Sequence, residues 1–119
     1  MGDFRRLRAW QEAMDFAVAV YRATDEFPVS ERFGLRSQVR RAASSVGANL
    51  AEGAGRGSPG AFHAFTRIAR GSLHEAVSHL MLASQLGFLD NEVVGALIAH
   101  AERLGPMLSG ILARKRPNG

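Results

Sequence analysis

The chain contains no cysteine. Disulfides, thiolate metal sites and cysteine nucleophiles are therefore excluded, and zinc would have to be held by His and carboxylates alone. It has one Lys, one Trp and one Tyr, so its high isoelectric point reflects the scarcity of groups that titrate between His and Arg more than a large excess of charge. The net charge is only +4. No window approaches the roughly 18 apolar residues of a membrane span. The start, Met1-Gly2-Asp3-Phe4-Arg5-Arg6, lacks the apolar run of a signal peptide and carries Arg6 where myristoylation wants Ser or Thr. A cytoplasmic protein with no membrane contact is expected. Nowhere do apolar and polar residues alternate as in a strand.

What is present suits one domain: 119 residues, 46% hydrophobic and 22% charged, enough for a single core. The reading is a domain over 1–113 and a basic flexible tail over 114–119. Charge is unevenly placed. Between residues 32 and 70 stand Arg32, Arg36, Arg40, Arg41, Arg56, Arg67 and Arg70 against the single carboxylate Glu52, so the middle of the chain and the tail are its basic parts.

Four helices follow from periodicity. From Phe4 to about Thr24, Leu7, Trp10, Met14, Ala17 and Tyr21 recur at steps of three and four, one amphipathic face opposite Arg8, Glu12, Asp15 and Arg22. Phe27-Pro28 ends it, and Ser30 reads as the N-cap of a second helix. That helix carries a narrow apolar seam, Leu35, Val39, Ala42, Ala43, Val46 and Leu50, with Gly47 inside it. Gly53-Ala54-Gly55-Arg56-Gly57 reads as a turn, and Ser58-Pro59 as N-cap and first residue of a third helix reaching Leu86-Gly87. Asp90 caps a fourth helix through Val93, Leu97, Ala101, Leu104, Leu108 and Ile111, with Gly105-Pro106 expected to kink or interrupt it. Its wide apolar arc suggests a second contact. Short loops and no strands predict an all-α, antiparallel up-down-up-down four-helix bundle.

Catalytic and cofactor signatures are weak. Gly53-Ala54-Gly55-Arg56-Gly57-Ser58 follows a helix, lacks a P-loop Lys and reads as a turn, although the start of the third helix with Arg56 nearby leaves room for a single phosphate. His74 and His79 are five apart, not the four of a zincin pair, and His63 and His100 have no carboxylate at ligand spacing; all four read as surface or bundle-edge residues. Ser44, Ser45 and Ser72 have no base placed by sequence and no nucleophile elbow. The expectation is no catalytic residue, no metal and no cofactor. Trp10, Tyr21 and the Phe residues stand at core spacing, which argues against a single-strand binder built on aromatics.

Two stripes remain. Ser45, Asn49, Glu52 and Arg56, spaced four, three and four, line one helix flank with Gln38. Because Ala48, Leu50, Ala51 and Gly53 lie between them, Ser45, Asn49, Glu52 and Arg56 are expected to be buried between helices or protomers, with a solvated helix flank as the alternative; Gln38 and Gly53 belong to the same expected interface stripe. His63, Arg67, Arg70 and His74 form a second, basic stripe.

Phe27-Pro28, Glu31-Arg32-Phe33-Gly34-Leu35, Gln38-Val39-Arg40-Arg41-Ala42-Ala43, Ser45-Val46-Gly47-Ala48-Asn49-Leu50-Ala51-Glu52-Gly53, Gly55-Arg56 and Gly71-Ser72-Leu73-His74-Glu75 closely resemble the four-helix bundle proteins encoded in intervening sequences of bacterial 23S ribosomal RNA. That family includes the accessory protein of diversity-generating retroelements. The resemblance covers about residues 4–90, with Gly47 where the family usually has Pro. It implies a positively charged, ring-like homopentamer without known catalytic activity and, in the retroelement branch, binding of nucleic acid and a reverse transcriptase.

Two functions from different classes are expected from this. One is a non-enzymatic homo-oligomer whose Arg36, Arg40, Arg41, Arg56, Arg67 and Arg70 contact RNA or DNA phosphates without regard to sequence. The other is a protein-interaction scaffold in which the arginines only solubilise the particle.

Overall fold

The computed structural model describes residues 2–114, and among these it is entirely helical apart from turns. Four helices, α1 (Arg8–Ala23), α2 (Leu35–Gly55), α3 (Pro59–Gln85) and α4 (Asn91–Ala113), follow one another with short connections. Short 3-10 turns at Phe4–Arg6, Thr24–Glu26 and Val29–Glu31 flank the first two. Each helix packs on its sequence neighbours and α4 closes the ring onto α1, the expected antiparallel bundle, in a body 49 × 23 × 19 Å across. Of the expected basic tail over 114–119, residues 115–119 lie outside the described residues.

The core is one layer of side chains along the bundle axis. Phe16 and Val20 of α1, Val39, Val46 and Leu50 of α2, Leu80 of α3, and Leu104 and Leu108 of α4 are fully enclosed. Alanines at 42, 43, 69, 76 and 83 let the middle helices approach closely. The approach is tight at Gly53, where an added Cβ would stand 2.7 Å from the Phe65 Cβ and 3.3 Å from the Phe62 Cα. Only a residue without a side chain allows α2 and α3 to pack at that distance.

Helix ends follow local chemistry, with three departures from expectation. Ser58 caps α3 as expected, its Oγ accepting from the Ala61 N–H at 3.2 Å with Pro59 in the first turn. At the other end of α3, Gly87 takes φ 77° and the Phe88 N–H donates to the Ala83 carbonyl at 2.9 Å, a Schellman closure. Ser30, however, does not cap α2. It sits inside the Val29–Glu31 turn, and Glu31 takes the capping role, its Oε1 accepting from the Leu35 N–H at 3.0 Å. The glycine turn is also shorter than expected. Gly53 and Gly55 remain helical, and of that group Gly57 alone has positive φ. Nor is α4 interrupted: it continues through Gly105 and Pro106 to Ala113.

The larger correction concerns which face of α1 is buried. The stripe Ala9, Ala13, Phe16 and Val20 is enclosed, whereas Met14, Val18 and Tyr21 are each more than two-fifths exposed, and Leu7, Trp10 and Ala17 lie at the boundary. Both stripes share the helical period, so periodicity cannot separate them. Packing can, because α2 presents Gly47 and alanines, a seam that admits Ala9 and Ala13 closely but has no room for Met or Tyr. An added Cβ on Gly47 would lie 3.7 Å from the Ala13 Cβ and 3.5 Å from the Trp10 ring, so Trp10 covers the flank of that contact. On α4, likewise, Val94 is buried and Val93 is exposed.

Candidate nucleic-acid interface

The bundle brings three of the six expected arginines, Arg36, Arg40 and Arg41, to one corner and adds Arg32 to them. After α1 ends at Ala23, Thr24 and Phe27 are buried, and the chain turns through Pro28 to Glu31 and re-enters as α2. The first three turns of α2 then present Arg36, Ser37, Arg40, Arg41 and Ser44 on an outer surface beside Tyr21 of α1. With Arg32 and Phe33 from the turn, these line an open pocket of about 560 Å³.

The arginines in it differ in their freedom. Arg40 is held from three sides: its Nε donates to the Thr24 Oγ1 at 2.8 Å, and its Nη2 to the Tyr21 carbonyl and to Asp25 Oδ1, both at 2.9 Å. Its guanidinium also lies 4.7 Å from the centre of the Tyr21 ring, and its side chain is 17% exposed. This is a structural clamp between the end of α1 and the start of α2. Arg36 leans on the same Asp25 carboxylate at 3.6 Å. Arg32 rests 5.4 Å from the Phe33 ring centre, and among the described residues neither Arg32 nor Arg41 pairs with a carboxylate. Phe33, expected in the core with the other aromatics, is 89% exposed.

The remaining expected cations are elsewhere. Arg56 lies at the far end of α2, about 30 Å from Arg36 by helical rise, where it pairs with Glu52 at 3.1 Å and covers Phe65. With Ser58 already holding the first turn of α3 and Arg56 engaged, that turn offers a phosphate little. Arg67 and Arg70 are on α3 and do not line the corner pocket. Arg67 is exposed and Arg70 half-buried, so the second stripe is a separate and weaker basic patch. Its first member, His63, expected at the surface or the bundle edge, is buried and lines a second, larger pocket of about 700 Å³ with Leu7, Phe62, Met107 and Ile111.

The polar stripe of α2 is not buried between helices of one chain. Gln38 and Glu52 are exposed, while Ser45 and Asn49 are half-buried. Their polar groups are satisfied on their own helix: Ser45 Oγ donates to the Ala42 carbonyl at 3.0 Å and Asn49 Nδ2 to the Ser45 carbonyl at 2.7 Å. Gly53 alone of the set is enclosed.

Two features escaped the sequence reading. His100 of α4 meets Glu12 of α1 at 3.2 Å, with its ring edge-on to Phe16. Glu12 and His100 are 88 positions apart, so no spacing rule could pair them. An apolar groove of about 410 Å³ also runs along the α1/α2 seam past Met14, Val18 and Gly47, meeting the corner pocket at Tyr21 and Ser44. Among the described residues no three His or carboxylate side chains gather as metal ligands, and no helix is long and apolar enough to cross a membrane.

Comparison with known proteins completes the description. The family model described as 23S rRNA-intervening sequence protein matches residues 5–110. Among solved structures, the fold is similar to that of a protein of unknown function from the S23 ribosomal protein family of Bacteroides thetaiotaomicron. The TM-score is 0.79 at 20% identity, covering 89% of this chain and 99% of that one. No curated protein matches the chain in sequence.

Proposed function

We propose, on the premise that this chain belongs to the 23S rRNA-intervening sequence protein family, that it is a non-enzymatic homo-oligomeric bundle that binds RNA or DNA by phosphate contacts indifferent to sequence. The observation that carries this reading is the corner pocket, where Arg32, Arg36, Arg40 and Arg41 converge on one surface against the single paired carboxylate Asp25. Cations gathered this way attract a polyanion and release its counterions on binding. A surface that merely kept the protein soluble would have no need to gather them.

A second feature supports assembly. Met14, Val18, Ile68 and Met81 are large apolar residues at least two-fifths exposed on a small chain, the kind of surface that subunit contact removes from water. The resemblance to the retroelement accessory protein makes a pentamer the expected state and a reverse transcriptase the protein partner to test. In a ring the corner patch is repeated on every subunit, so individually weak phosphate contacts add through effective concentration.

The test is fluorescence anisotropy with labelled RNA and DNA at low salt, with light scattering on the same preparation. The reading expects binding by an oligomer and its loss in the Arg32→Glu/Arg41→Glu variant. A monomer at micromolar concentration removes the assembly, and no binding to either nucleic acid removes the function. The apolar α1/α2 groove favours the second reading, a protein-interaction scaffold, which a nuclease-resistant protein partner recovered through that groove would support.

A further inference from the structure

We infer that the corner pocket takes one unpaired nucleotide, its base stacked on Phe33 and its phosphate held by Arg32 and Arg41, so that single-stranded nucleic acid is the ligand class of this protein. The inference rests on the nucleic-acid reading above and narrows it.

Phe33 has no role in the fold. At 89% exposure it is the most exposed of the large apolar residues among those described, while Phe16, Phe27 and Phe62 are all buried. A ring left in water forgoes the free energy of burial. The backbone that carries it is braced nonetheless. The Glu31 N–H donates to the Pro28 carbonyl at 2.8 Å, Arg32 N–H to Val29 at 3.1 Å and Gly34 N–H to Glu31 at 3.1 Å. The Glu31 carboxylate then holds the Leu35 N–H at 3.0 Å. Gly34 leaves room for that brace, since a Cβ there would stand 2.9 Å from Glu31 Oε1 and push the carboxylate aside. An exposed aromatic ring on a braced turn is a ready-made platform, since the ordering cost is already met in the free protein.

The surroundings suit a nucleotide. Arg32 sits 5.4 Å from the ring centre, and both a guanidinium plane and an aromatic face stack on bases. Arg41, with no carboxylate partner among the described residues, and the hydroxyls of Ser37 and Ser44 line the same pocket. Arg41 and the Ser37 hydroxyl can donate to a phosphate, whereas the Ser44 hydroxyl, which donates to the Arg41 carbonyl at 3.1 Å, is left to accept from a sugar hydroxyl. Arg40, locked to Thr24, Tyr21 and Asp25, supplies the wall and not the contact. The site is an open depression of about 560 Å³, which suits a nucleotide of a longer strand laid across the surface. A base in a duplex has both faces covered by its neighbours, so only an unpaired one can lie on Phe33.

The experiment compares a mixed-sequence single-stranded RNA, the same sequence as single-stranded DNA, and the corresponding duplex, each titrated with the full chain by fluorescence anisotropy. Wild type is expected to prefer the single strands. Phe33→Ala is expected to weaken single-strand binding by about 5- to 150-fold, the range of one base–aromatic stack, and to leave duplex binding unchanged, whereas Arg41→Glu weakens both. Phe33→Trp should restore single-strand binding, with emission quenched by single strands beyond any quenching of Trp10 seen in wild type. If Phe33→Ala binds single strands like wild type while Arg41→Glu does not bind, the stack is overturned and the phosphate reading stands. If wild type binds no nucleic acid, both fall. If Phe33→Ala changes the assembled mass in light scattering and not the affinity, Phe33 is a subunit contact and the inference is overturned.

Discussion

Arg40 donates to Thr24 Oγ1 at 2.8 Å, fastening the start of α2 to the end of α1 through a hydroxyl that is itself fully buried. The sequence offered Arg40 as a phosphate contact, but its bonds are spent inside the fold. Arg40→Ala is therefore expected to lower unfolding stability by about 1–3 kcal/mol, since Thr24 loses a charged donor. Arg41→Ala, on the exposed side of the same helix, should stay within about 0.5 kcal/mol. Urea denaturation of the two variants decides it.

Gly53 and Gly47 lie on one helix and are predicted to respond to alanine in opposite directions. At Gly53 the new methyl meets Phe65 Cβ at 2.7 Å and the Phe62 backbone at 3.3 Å, so α2 and α3 must separate, at about 1–3 kcal/mol. At Gly47 it meets Trp10 and Ala13 at ordinary distances of 3.5 Å or more, and the gain in helix propensity, about 1 kcal/mol, should appear as a higher Tm.

The polar stripe predicts a separation of folding from assembly. Among the described residues, Glu52 pairs only with Arg56, across an exposed helix surface, and Asn49 bonds only to its own helix. Glu52→Ala and Asn49→Ala should each change the stability of the folded chain by no more than about 0.5 kcal/mol. If the stripe is a subunit contact, the same variants reduce the mass seen by light scattering. A large loss of stability with unchanged mass would show that the stripe serves the single chain.

At the N-terminus, the side-chain hydrogen bond from Arg5 holds the Asp3 carboxyl below the usual carboxylate range, helped by the Arg5 backbone N–H. A depressed carboxylate favours the folded turn above its unfolded value, and that preference is lost as pH falls through the lower, folded value. Titration by NMR should show Asp3 protonating at lower pH in wild type than in Arg5→Ala.

How much of this was legible in the sequence depends on the kind of information each feature needed. Helix number, order and the Ser58 cap are local properties, and spacing and capping chemistry were enough. The buried face of α1 was not, because Ala9-Ala13-Phe16-Val20 and Leu7-Trp10-Met14-Tyr21 have the same period and only the narrow α2 seam chooses between them. Among the candidate site residues, charge counting found Arg36, Arg40 and Arg41. It could not tell the Arg40 clamp from the unpaired Arg41, which depends on where Asp25 and Thr24 fall in space. Phe33 was misassigned to the core because its neighbours are helical by pattern, whereas a 3-10 turn and Gly34 carry it outward. The His100–Glu12 pair joins opposite ends of the chain and leaves no local signal.

The central claim is that free arginines of the α1–α2 corner hold nucleic-acid phosphates, and the slope of log Kd against log salt for single-stranded RNA tests it most directly. Each phosphate contact on a single strand contributes about 0.7 to that slope, so Arg32→Glu/Arg41→Glu should bind more weakly and with a slope shallower by about 1.4. An unchanged slope in that variant, or no binding by wild type at low salt, would contradict it.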